Sequence, residues 1–160
     1  MMRAASRNSG LAAALLAAAI VSTLAGNAAA QTAGAYWYDG SVRRELYGVS
    51  ARPETREKAL AANPSADGTA FFTERPGSAR VMGLPGGVVV TLRETMSPSR
   101  AQQFLASRGL TPVRPIGDGS TTWLVASDPG LPSLHLANRL YESGDFAAAS
   151  PNWWQARAKK

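Results

Sequence analysis

The order of strand-like and helix-like runs between Gly87 and Ser150 limits the folds open to this chain more than any other feature. "VVVTLRE", residues 88–94, is rich in β-branched residues and follows the breaker Pro85-Gly86-Gly87, which reads as a buried strand. Ser97 then supplies an N-cap and Pro98 a first helical residue; Ala101, Phe104 and Leu105 fall on one face, and Gly109 closes the helix. "LTPVRPI" and "TTWLVAS" are strand-like runs around Gly117-Asp118-Gly119-Ser120, which is turn chemistry for a hairpin. Pro112 and Pro115 donate no ladder hydrogen bond, so the first of these runs is expected at a sheet edge or a bulge. Pro132 opens a second helix, in which Leu136 and Leu140, then Ala137 and Tyr141, repeat at i, i+4 until Gly144. "FAAAS" is the last strand. The expected fold is therefore α+β: a ferredoxin-like β-α-β-β-α-β antiparallel sheet with two helices on one face, whose other face is left wet or covered by something else.

The preceding segment, residues 31–86, has a less regular texture. "AYWYDGSVRRELY" reads as an aromatic hairpin turning at Asp39-Gly40. "RPETREKALAANP" reads as a short helix, with Pro53 in its first turn, Glu54 and Glu57 near its positive end and Asn63-Pro64 as its stop. "TAFFTE" is a strand candidate before the breakers Pro76-Gly77 and Pro85-Gly86-Gly87. Residues 47–83 carry no functional motif.

Residues 1–30 read as a signal peptide. Arg3 and Arg7 precede an Ala/Leu-rich apolar stretch, and Ala28-Ala29-Ala30 offers a small-residue cleavage site before Gln31. The apolar stretch is short of the ~20 residues a spanning helix requires, and no basic stop-transfer flank follows. Export would leave residues 31–160, room for one core, as a periplasmic or secreted bacterial protein that is a monomer when free. The formal net charge of +6 includes the two leader arginines. The other positive charges are scattered, apart from Arg43-Arg44 and the tail Arg157, Lys159 and Lys160, so no nucleic-acid partner is expected. The chain has no Cys and must be held by packing, which suits a bacterial envelope protein.

Catalysis is not expected either. The one histidine, His135, lies between Leu134 and Leu136 in a helical run, without a Gly-x-Ser-x-Gly elbow, and reads as a helix-surface residue. A metal would need carboxylates, and Asp39, Asp67, Asp118, Asp128 and Asp145 stand apart beside Gly or Pro, as turn residues do. "GLPGG" lacks the Lys-Ser/Thr ending of a phosphate loop and precedes a strand, where such a loop precedes a helix. No cofactor is expected. Trp123 reads as core packing, whereas Trp153 and Trp154 either fold back as a clamp or are presented to a partner.

From Val88 to Trp153 the chain resembles the N-terminal propeptide domain of subtilisin-like serine proteases, the propeptide/inhibitor family. The resemblance lies in "VVVTLRE" with a Ser-Pro helix opening, "GL" leading into the hairpin, the core Leu136-Ala137-Asn138-Arg139-Leu140, and the closing Ala149-Ser150-Pro151-Asn152-Trp153. "AYWYDG" is similar to the aromatic opening hairpin of some bacterial members. Residues 87–154 would then be the propeptide-like domain, residues 31–86 an extension and residues 155–160 a basic tail, with no protease domain after Trp153. The resemblance implies a partner, a subtilisin-like serine protease. The open sheet face would pack on two protease surface helices, Asp118 at the hairpin tip would cap their N-termini, and Ser150, Pro151, Asn152, Trp153 and Trp154 would run through the active-site cleft like substrate. Inhibition and assistance in folding are the implied activities. A non-inhibitory envelope protein- or peptide-binding module of the same fold, and a remnant prodomain that lost its protease, remain open at this point.

Overall fold

The computed structural model describes residues 34–63, 67–118 and 121–155, so the expected signal peptide, Gly119 and Ser120 of the expected hairpin turn, and residues 156–160 of the expected tail 155–160 lie outside the described residues. The chain first forms a hairpin, β1 (Tyr36–Asp39) and β2 (Val42–Glu45), paired antiparallel from Tyr36↔Glu45 to Asp39↔Val42 around the two-residue loop Gly40 and Ser41. A short strand β3 (Tyr47–Gly48), helix α1 (Pro53–Ala62) and strands β4 (Ala70–Thr73) and β5 (Met82–Leu84) follow. Pro53 starts α1, and Ala59 is its one buried side chain, so this helix rests on the surface rather than building a core.

The second half runs β6 (Val88–Leu92), α2 (Pro98–Ser107), β7 (Pro112–Ile116), β8 (Thr122–Val125), α3 (Leu131–Glu142), β9 (Phe146–Pro151) and β10 (Trp154–Gln155). Ser97 Oγ accepts from Arg100 N at the start of α2. At its end Gly109, at φ 71°, lets Gly109 N reach Ala106 O and Leu110 N reach Leu105 O, a Schellman arrangement that returns the buried Leu110 to the core. Strands β6 to β9 form one antiparallel sheet in the order β7-β8-β6-β9. The proline-bearing β7 is an edge, with a register shift between Pro112 and Arg114.

Two cores result. Val88, Val90, Leu92, Trp123, Val125, Phe146 and Ala149 point from one face of this sheet onto Ala101 and Leu105 of α2 and Ala137 of α3. Full burial of each of the larger side chains contributes about 1.5–3 kcal/mol. The second core holds Leu46, Phe72, Met82, Leu84 and Leu134, with Trp37 and Trp153 packed against it. Helix α3 therefore serves both, with Ala137 facing one core and Leu134 the other.

The antiparallel α+β class read from the sequence is found, but the described residues form three sheets rather than one sheet and a hairpin. Strands β3, β4 and β5 build a second four-stranded sheet, in the order β10-β5-β4-β3, whose outer strand comes from the chain's last described residues. Their shortness explains why period-two patterning did not reveal β3, β5 and β10. No helix among the described residues is long and apolar enough to cross a membrane.

Candidate interaction surface

The uncovered face of the β7-β8-β6-β9 sheet follows from strand alternation. Side chains flanking the buried positions point the opposite way, and the register aligns them in two rows: Arg114, Leu124, Val89 and Ser150, then Ile116, Thr122, Thr91 and Ala148. Apart from exposed Arg114, these residues are half-buried, and Arg114 carries the only charge in either row. Small hydroxyl and aliphatic groups make these rows a nearly neutral surface that can be desolvated at little electrostatic cost.

The resemblance marks six residues, Asp118 and Ser150 to Trp154, as partner-binding, and the fold separates them. Ser150 belongs to the open face, paired with Val89, whereas its neighbour Pro151 pairs with Val88 and is buried. Asn152 turns the chain out of the sheet: its backbone N donates to Gly87 O at 3.1 Å and its Nδ2 to Gly86 O at 3.2 Å. Trp153 enters the second core, edge-on to Trp37 and Phe72 with ring centroids 5.4 and 6.5 Å away. Trp154 pairs with Gly83 and sets its ring edge-on to Phe71 at 6.4 Å. Asp118 follows β7 and is exposed; it lies beyond the Thr91↔Thr122 end of the sheet, while Asn152 leaves from the Val88↔Pro151 end. The length of β6 thus stands between Asp118 and the tail.

The hairpin β1/β2 closes a further part of the surface. Asn138, buried on α3, donates from Nδ2 to Tyr36 O at 2.8 Å. Glu142, one helical turn on, accepts from Tyr36 Oη at 2.8 Å and Tyr38 Oη at 3.0 Å. Tyr38 stacks on Tyr141 at 4.2 Å and Arg43 lies 3.9 Å over the Tyr36 ring. The Tyr36 hydroxyl is pushed up from its ordinary pKa chiefly by its bond to Glu142, that of Tyr38 chiefly by lost solvent and then by the same carboxylate. Asn138 was legible only as part of a Leu-Ala-Asn-Arg-Leu helix motif, because its partner is 102 residues away.

His135 is exposed on α3, and no group of three His, Cys, Asp or Glu residues gathers among the described residues. The chain matches no protein-family model, no curated protein and no solved structure.

Proposed function

We propose that this chain is an exported propeptide-like protein that binds a subtilisin-like serine protease and acts on it as inhibitor and folding chaperone, without catalysis of its own. The observation that carries the reading is the uncovered, nearly neutral sheet face, with its two rows running through Val89 and Thr91. The element order from β6 to β9 and the strand order β7-β8-β6-β9 support a ferredoxin-like unit within the larger fold. Such a face suits docking on the surface helices of a protease, with the tail from Ser150 onward directed at the cleft and Asp118 aimed at a helix N-terminus.

The test is to mix the purified chain with subtilisin-like proteases and follow peptide hydrolysis and complex formation by size-exclusion chromatography. Inhibition with a 1:1 complex at micromolar protein supports the reading; unchanged hydrolysis and no complex overturn it. A second reading, an envelope protein- or peptide-binding module that does not inhibit, is favoured by one specific observation: Trp153 and Trp154 are engaged within the chain itself. Complex formation without loss of hydrolysis would select it.

A further inference from the structure

Strand β10 is held very differently from the strands of the main sheet. Among the described residues it pairs with β5 through Trp154↔Gly83 and Gln155↔Met82, whereas β9 pairs with β6 from Val88↔Pro151 to Leu92↔Phe146. Its side-chain contacts are more specific: Gln155 Oε1 accepts from Arg80 Nη2 at 2.7 Å, Trp154 meets the edge of Phe71, and Trp153 fills the space beside Trp37 and Phe72. Opposite Trp154 stands Gly83, where an added Cβ would come within 3.1 Å of the Phe71 ring and of Thr69 Cγ2. The β5 edge thus presents a backbone ladder, aromatic walls formed by Trp37, Phe71 and Phe72, and a guanidinium for a terminal amide.

The fit is incomplete in one respect. The buried Nε1 of Trp37, Nε1 of Trp153 and Oγ1 of Thr73 find no hydrogen-bond partner among the described residues, and the two indoles meet where the tail docks. A buried donor left unpaired costs about 1–3 kcal/mol, which opposes the gain from burying the rings. An edge pairing at the end of a sheet, burdened in this way, opens more readily than the central strands.

We propose that the β5 edge is a strand-binding site for an extended peptide carrying two consecutive aromatic residues, and that the chain's own residues 153–155 are its exchangeable occupant. The site works by β-augmentation: the ladder supplies affinity, and the Trp37, Phe71 and Phe72 walls select aromatic side chains. Its regulatory consequence rests on the protease reading. A tail paired with β5 is masked, so engagement of a protease cleft requires β10 to leave, and the free protein holds its reactive segment in reserve.

The experiment uses the full chain and a labelled synthetic peptide of sequence Ser-Pro-Asn-Trp-Trp-Gln, read by fluorescence anisotropy. A tethered tail competes at an effective concentration on the order of millimolar, so the unaltered chain should capture micromolar peptide at least ~10-fold more weakly than Trp154→Ala, whose own tail is weakened. Equal capture by both chains, or none by a folded Trp154→Ala chain, overturns the proposal. A measurement needing no substitution accompanies it: hydrogen exchange of the unaltered chain. Whichever of the Trp154 and Gln155 backbone amides points at β5 should exchange at least ~10-fold faster than those of Val88 and Val90 under conditions that preserve the fold. Exchange at a common rate would mean that the tail leaves only on global unfolding, and would overturn the proposal on its own. Peptide capture with no protease inhibited would sink the protease reading and leave the strand site standing.

Discussion

Trp153 stands edge-on to Trp37, ring centroids 5.4 Å apart and planes at 74°, so a residue from the last described turn of the chain and one from its first strand share a single core. This contact joins the tail to the hairpin and makes the second core a product of segments far apart in the described chain. Edge-to-face pairs of this kind contribute about 0.5–1.5 kcal/mol beyond the area they bury. Trp153→Ala should therefore destabilise the protein by about 2–4 kcal/mol, below the upper range for a core tryptophan because Trp153 is only half-buried. A double-mutant cycle with Trp37→Ala, read by urea denaturation, should return a coupling of about 1 kcal/mol. Strict additivity would show that the two rings stabilise separate regions.

Asn138 provides the second tie. Replacing it with Ala removes the donor to Tyr36 O and leaves a partly buried carbonyl unpaired, a loss of about 1–2 kcal/mol. The same change at the exposed Arg139 should cost no more than about 0.5 kcal/mol. The two urea midpoints side by side check the claim, and equal midpoints would deny Asn138 its structural role.

These two contacts mark where sequence reading stopped. The second half was legible because Ser97-Pro98, Gly109 and Gly144 bound its helices, and Pro112 and Pro115 assign β7 to an edge, each through local chemistry. The sheet order-β10-β5-β4-β3 was not, because Tyr47–Gly48, Met82–Leu84 and Trp154–Gln155 are too short for any periodicity and their pairing is decided by contacts distant in sequence. The candidate site was legible in the same uneven way. The order of elements already leaves one sheet face open, but "VVVTL" reads as a wholly buried strand, so the half-buried Val89 and Thr91 on that face carry no signal, and the destination of Trp153 and Trp154 depends on Phe71, Phe72 and Gly83, which carry none either.

Alkaline pH should loosen the hairpin. The hydroxyls of Tyr36 and Tyr38 both have raised pKa values in the folded chain, with Glu142 contributing to each and Arg43 opposing. A group whose folded pKa lies above its unfolded value of about 10 gives its stabilisation in full below that value and loses it as pH rises through the folded one. The thermal midpoint should fall as pH rises beyond about 10, and less steeply in Tyr36→Phe/Tyr38→Phe, which has no phenol there to ionise. Parallel profiles for the two proteins would show that other groups govern the alkaline limb.

The open face yields the prediction that bears most directly on function. Thr91 lies in the row Ile116, Thr122, Thr91, Ala148, where no side chain is charged, so a carboxylate placed there meets water in the free chain but is stripped of it in a docked complex. Thr91→Glu should leave stability within about 1 kcal/mol of the unaltered chain, since the group remains hydrated. In a complex the desolvated, unpaired charge costs roughly 2–5 kcal/mol, which weakens binding by at least ~30-fold. Arg139→Glu, on the helical layer behind the sheet, is the control and should bind as before. The comparison is made by titrating each variant against a protease that the unaltered chain inhibits, with urea midpoints measured in parallel. If Thr91→Glu inhibits like the unaltered chain, docking proceeds through some other surface. If both variants lose inhibition equally, the effect is one of net charge, and the position of Thr91 on the sheet does not matter.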